Sequence, residues 1–207
     1  MQQVSIPSDD LANALVSSLT EIPFMESVTG RRRLVRLMQD TLRTFPDVRE
    51  STDARIHTIE LVRACMSERG GLRALTSAIS SIDPEHPASA RTMRLIASAS
   101  FNELLLDFER RAIGDLLVRA DSENGGTDRL WWRVDLGSLL VGSAADAAVT
   151  PIEAFYRLGS RPVRREHTPA ALILVQNVAQ HANGILRKDL EDWSSRLANR
   201  LEIKSVD

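Results

Sequence analysis

Residues 54–79 read ARIHTIELVRACMSERGGLRALTSAI, and the order helix, paired glycine, helix decides the fold. Ile56, Ile59, Val62 and Met66 recur at three- and four-residue steps, which predicts one buried stripe of a helix. Gly70 and Gly71 stop it, because a residue just past a helix end often needs the left-handed backbone that glycine enters without a Cβ clash. Leu72, Leu75, Ile79 and Ile82 restart the period. Two short amphipathic helices cannot hide their stripes alone, so they must pack on each other and on further helices. With no reactive constellation in it, the stretch reads as an interaction module.

Starts and stops on either side extend the pattern. Ser8 is the expected N-cap of a first helix carrying Leu11, Leu15, Leu19 and Ile22, which Pro23 ends. Thr29 or Gly30 begins a second, with Leu34, Leu37, Met38, Thr41 and Leu42 on one side and Pro46 as its close. Ser51 or Thr52 caps the third, Asp83-Pro84 stops the fourth, and a fifth runs from Pro87 through Met93 and Ile96. Residues 1–99 therefore read as a five-helix bundle.

Phe101, Leu104, Leu105, Phe108, Ala112 and Leu116 predict one longer helix over 100–121 that links the halves. SENGGTD, Ser122 to Asp128, reads as a loop. RLWWRVDLGSLLVG, Arg129 to Gly142, is ambiguous. Helix is slightly favoured, Val134 and the aromatics suit a strand, and Trp131 and Trp132 cannot both face the same way. Thr150-Pro151 with Glu153 is a capped helix start, and Gly159 should end that helix. Thr168-Pro169 repeats the signal before Leu172, Val175, Val178 and Ala179. Leu186, Leu190, Trp193, Leu197 and Leu201 mark a last helix. The fold class is all-α in two helical units, 1–99 and a C-terminal domain over 122–207.

Composition narrows the function. The 207 residues are 43% apolar, enough for a buried core, and the net charge is only -2. Residues 1–99 carry equal numbers of basic and acidic side chains, which argues against nucleic acid as main partner, since phosphate binding needs concentrated positive charge. The single cysteine, Cys65, cannot make an internal disulfide, and the opening residues lack a charged-then-apolar signal pattern, so a cytoplasmic location is expected. The longest apolar runs fall far short of the roughly 20 residues that span a bilayer.

The residues between Leu11 and Ile96 resemble the second type of effector-associated domain from bacterial conflict systems. The likeness rests on IPFM (Ile22 to Met25), RRRLVRLM (Arg31 to Met38), RIHTIELVRACMSERGGLRALTSAI and PASARTMRLI (Pro87 to Ile96), with His57, Leu61-Val62, Cys65 and Gly70-Gly71-Leu72 as its most specific series. AFYRLGSRPVRREHTPAALILVQNVA followed by DLEDWSSRLANRL looks like a helical region that often accompanies such domains. The resemblance implies a non-enzymatic adaptor of death-like behaviour that pairs with a similar domain on another polypeptide. The partner, a protease, a nucleoside triphosphatase or a von Willebrand A protein, then brings the chemistry.

His57 and Cys65 lie eight residues apart, about 12 Å of helical rise, so they cannot form a nucleophile and base pair within one helix. Cys65 is expected to be a packing residue, and His57 a surface or boundary one. His57, His86, His167 and His181 have no second ligand at helical spacing, so no metal is expected, and no cofactor fingerprint occurs. Arg31, Arg32, Arg33 and Arg36 form the densest basic cluster, at a helix start where the dipole does not favour cations. One reading is a solvated face paired with Glu26 or Asp40. The other is a docking surface for an acidic partner. Arg161, Arg164 and Arg165 invite the same two readings. Trp131 and Trp132 are further partner-binding candidates, one of them exposed over a partner groove, whereas Trp193 reads as core. The expectation is an adaptor without cofactor or metal. Self-association stays open. The rival is a stand-alone ligand-sensing helical protein with a pocket near Trp131-Trp132. An enzyme would need His57, Glu60 or Cys65 clustered with a second polar group in a cleft, and that cluster is expected to be absent.

Overall fold

Gly70 and Gly71 serve two different physical needs. Gly70 sits in the left-handed region at φ 71°, as the residue preceding a helix. Gly71 is required by space, since a Cβ there would stand 2.3 Å from the Cys65 carbonyl oxygen. Backbone therefore meets backbone where α4 (Ala54–Ser67) hands over to α5 (Gly71–Ile82). The computed structural model describes residues 8–42, 44–124, 131–133, 136, 148–161, 163 and 167–203. Among these it is all-α and falls into two compact units, residues 1–99 and 100–207.

The first unit holds α1 (Ser8–Thr20), α2 (Pro23–Glu26), α3 (Val28–Thr41), α4, α5 and α6 (Pro87–Ser98). Helix α1 ends at Thr20, short of the expected stop at Pro23, which instead opens the one-turn α2 from its first position, where its missing N–H costs nothing. Helix α3 starts at Val28, earlier than Thr29 or Gly30, because the Ser27 hydroxyl accepts from Gly30 N at 2.9 Å. It ends at Thr41, well before Pro46. Asp53 caps α4 in place of Ser51 or Thr52, its carboxylate accepting from Arg55 N and Ile56 N. Ser8 lies within α1, and its side chain is outside the described residues.

Helix α1 packs on α4 and α6, and α5 packs on α3, α4 and α6. Leu15, Leu19, Ile22, Met25, Leu34, Met38, Leu61, Leu75 and Ile79 are fully buried between them. The stripe predicted for α4 is rotated: Ile56 is 50% exposed, while His57, Thr58, Leu61, Val62, Cys65 and Met66 face inward. Between α1 and α6 the contact is polar, Thr92 Oγ1 donating to Ser18 Oγ (2.9 Å) and Ser18 Oγ to the Ala88 carbonyl (3.1 Å).

In the second unit the single long helix expected from Phe101 is two. Helix α7 (Phe101–Leu104) carries a full capping box between Ser100 and Glu103. Helix α8 (Asp107–Asn124) has its own start, where the Glu109 carboxylate accepts from Leu106 N at 2.9 Å. The break turns α8 so that Ile113, Leu117 and Ala120 face the core and Phe108 is 63% exposed. Helix α8 also takes in Ser122, Glu123 and Asn124, the start of the expected loop.

A 3-10 turn spans Trp131–Arg133, and most of the ambiguous 129–142 stretch lies outside the described residues. Then follow α9 (Pro151–Leu158), α10 (Ala170–His181) and α11 (Gly184–Leu201). Thr150 caps α9 as expected, whereas Thr168 falls one residue short of the cap position of α10. Gly159 ends α9 at an ordinary φ of -73°, and a Cβ there would meet Asn102 Oδ1 at 2.1 Å, so the Asn102 side chain would have to move. Phe155 anchors the core edge-on to Phe101, Tyr156 and Trp193. Arg200 grips Glu109 with Nε to Oε1 (2.8 Å) and Nη2 to Oε2 (2.6 Å), both side chains nearly buried, and pins α11 to the start of α8.

Replacing Gly71 by alanine should cost about 3 kcal/mol of stability through the forced shift against the Cys65 backbone. Gly70→Ala should cost only about 1 kcal/mol, the strain of a left-handed alanine. Urea titrations followed by helical circular dichroism should separate the two, and equal losses would contradict the packing described.

Candidate functional site

Four arginines on one helix end in three situations. Gly30 lets α3 pass close to α2, where a Cβ would stand 2.0 Å from the Phe24 carbonyl oxygen. That approach places Arg31 inward, 2% exposed. Its Nη1 donates to the carbonyls of Met25 (2.8 Å) and Glu26 (2.9 Å), and Nη2 to those of Ser51 (2.9 Å) and Thr52 (3.5 Å). The guanidinium thus closes the C-terminal end of α2 and ties the segment before α4 onto α3. Arg31 is a structural cation and leaves the partner-binding set.

Arg32 is exposed, and its Nε and Nη2 both donate to the Glu50 carboxylate, Nη2 to Oε2 at 2.7 Å. That fork holds the Glu50 carboxyl below its ordinary range. The expected partners Glu26 and Asp40 are not the ones used. Arg33 and Arg36 are exposed, with no ion pair among the described residues.

Between α3 and the segment from Asp47 to Ser51 runs a groove of about 470 Å³. Its lining includes all four arginines, Val28, Val35 and Val48, the acids Asp47 and Glu50, and His57. His57 is 3% exposed, which corrects its placement at the surface. The expectation that His57 would share no cleft with other polar groups is corrected as well. A carbonyl can only accept, so the contact of Nδ1 with the Arg49 carbonyl (3.3 Å) puts the ring proton on Nδ1. Nε2 is left as a buried acceptor with no partner. Burial, and then the nearby Arg31 charge, push the imidazole pKa below its usual 6.5 against the pull of the Arg49 carbonyl. No nucleophile is bonded to His57: the Ser51 hydroxyl accepts from Asp53 N instead.

The remaining candidates fall elsewhere. Cys65 is 1% exposed and burial drives its thiol pKa upward, which suits packing. Trp131 (7% exposed) and Trp132 (0%) are both buried, so neither covers a groove on the surface of this chain. A 3-10 turn lets two adjacent indoles enter one core, Trp131 lying edge-on to His181 and Trp132 under the Arg133 guanidinium. Arg161 is exposed, and Arg164 and Arg165 lie outside the described residues. Among the described residues no three of His, Cys, Asp and Glu come within metal-binding range, and no helix is long and apolar enough to cross a membrane.

Residues 16–97 match the family model for effector-associated domain 2, and residues 105–206 that for the vWA-MoxR associated protein middle region 0. The family models thus place an effector-associated domain 2 at residues 16–97 and that middle region after it. No curated protein and no solved structure matches it. Neither family is catalytic, and the pair makes the chain a component associated with bacterial conflict systems. Effector-associated domains imply protein–protein association in such systems. The basic groove lies wholly inside this domain, on α3 and the residues leading to α4.

Arg31→Met should destabilise the effector-associated domain by about 3 kcal/mol, since it leaves buried carbonyls unpaired. Arg31→Lys should rescue little, because one ammonium cannot span carbonyls from two segments. Thermal melts of the three proteins check this. His57 gives a pH signature. Its folded pKa is depressed, so the unfolded chain binds more protons in the window below 6.5. Its stability contribution is therefore full above 6.5, is lost as pH falls toward the folded pKa, and levels off below it. His86 Nδ1 caps Ala88 N in the same unit, so the reading is the difference between wild type and His57→Gln. Identical pH slopes for the two would remove His57 from the account.

Proposed function

We propose that the chain is a non-enzymatic adaptor whose effector-associated domain docks onto a similar domain of another polypeptide and so couples a sensor to an effector. The single observation that carries this reading is the groove with two arginines that have no ion pair among the described residues, on a domain whose apolar stripes are spent internally. With Leu34, Leu61 and Leu75 fully buried, the domain keeps its outer skin for contact, and charge on that skin selects the partner. The effector would be a protease or a nucleoside triphosphatase, and the name of the second region supports association with von Willebrand A and MoxR proteins. Partner-binding residues on this reading are Arg32, Arg33 and Arg36.

Mixing the chain with a protein that carries an effector-associated domain 2 and is encoded beside it should give a complex by light scattering at tens of micromolar, roughly the strength of a modest interface. Arg33→Glu should weaken that complex about tenfold and steepen with low salt, leaving the helical spectrum unchanged. A complete lack of association with such partners would overturn the adaptor reading.

A further inference from the structure

The groove has a specific chemical character. Arg31 is consumed by carbonyls and the Arg32 fork is filled by Glu50, itself about half exposed. Arg33 and Arg36 stand open along the same wall. Beside them is apolar surface from Val28, which is 39% exposed, whereas Val35 and Val48 line the groove as buried residues and Asp47 adds a second acid to it. A free phosphate ion would use the arginines and leave Val28 uncovered. A peptide segment brings carboxylates for the arginines and an apolar side chain for Val28.

We infer that the groove receives an acidic, apolar-anchored segment of the partner polypeptide, and that Glu50 is an internal competitor which a partner carboxylate displaces from Arg32. This rests on the docking role proposed above. An exposed ion pair contributes little to stability, so exchanging one carboxylate for another on Arg32 is nearly neutral, and the gain comes from Arg33 and Arg36. Glu50 then sets a threshold: only a segment with carboxylates for several arginines and an apolar anchor exchanges efficiently, while isolated anions do not.

The test is fluorescence anisotropy of the full chain with a labelled peptide of alternating leucine and glutamate pairs, about 12 residues or three helical turns long, against a leucine and lysine control. The glutamate peptide should bind and the lysine peptide should not. Glu50→Gln should tighten binding about threefold, and the Arg33→Glu, Arg36→Glu double variant should weaken it about tenfold. Circular dichroism checks that these exposed substitutions leave the fold intact. Equal binding by wild type and the double variant, looser binding by Glu50→Gln, or release of the peptide by an equal concentration of inorganic phosphate would overturn the inference. If the domain-bearing partner still associates while the peptide and variants fail, the groove is wrong and the adaptor reading stands. If neither binds, both fall.

Discussion

One guanidinium held by backbone carbonyls from two segments organises the face of this molecule that has chemistry to offer. Arg31 satisfies α2 where its last carbonyls would otherwise be bare, and it fixes the segment that carries Glu50 and leads to His57. A buried cation is costly unless its hydrogen bonds are filled, and here carbonyl dipoles fill them without a carboxylate. The groove wall opposite α3 is therefore set by a charge the solvent scarcely touches. Gly30 makes this geometry possible, because any larger residue would push α3 off α2 and carry Arg31 away from the Met25 and Glu26 carbonyls.

The division of labour among the arginines follows from helical geometry. Successive side chains on a helix step around its axis, so a run of three cannot share one environment. Arg31 turns inward, Arg32 meets Glu50, and Arg33 and Arg36, three residues apart, stay together on the outer side of the groove. A sequence cluster read as one basic face is thus one structural residue, one paired residue and two open ones. The same logic separates Trp131 and Trp132 from the docking surface: large aromatics concentrate energy wherever they are buried, and these two are buried in their own unit's core.

The all-α class and the places of most helices were legible because glycine, proline and capping residues have local physical reasons. Asp83, Pro87 and Thr150 act where they stand, whereas α1 and α4 stop short of Pro23 and Gly70, which open the helices that follow. What was not legible depended on tertiary contacts. The α4 face was misread because His57 and Thr58 are polar yet buried, each with a backbone acceptor, which apolar periodicity does not register. The α7 and α8 break did carry a signal, the Ser100 and Glu103 capping box, outweighed by an apolar run that promised continuity. The Glu109 and Arg200 pair, 91 residues apart, left no trace in spacing at all. Nor did the groove: Arg32 and Glu50 are 18 residues apart and no local rule joins them.

On the proposed adaptor role, specificity comes from surface chemistry, because the apolar stripes of the domain are spent on folding. A docking face built only from exposed valines would be sticky and indiscriminate, and one built only from arginines would attract any polyanion. Combining the two in one groove, with an internal carboxylate already seated on the first arginine, raises the standard a partner must meet. On the inferred exchange, Glu50 lowers the charge seen by casual anions while costing a matched segment little, since its carboxylate is already about half exposed to water. The buried Arg31 would hold that wall in place during such an exchange. The rigid element and the selective one are thus adjacent residues of a single helix, with different surroundings and different work.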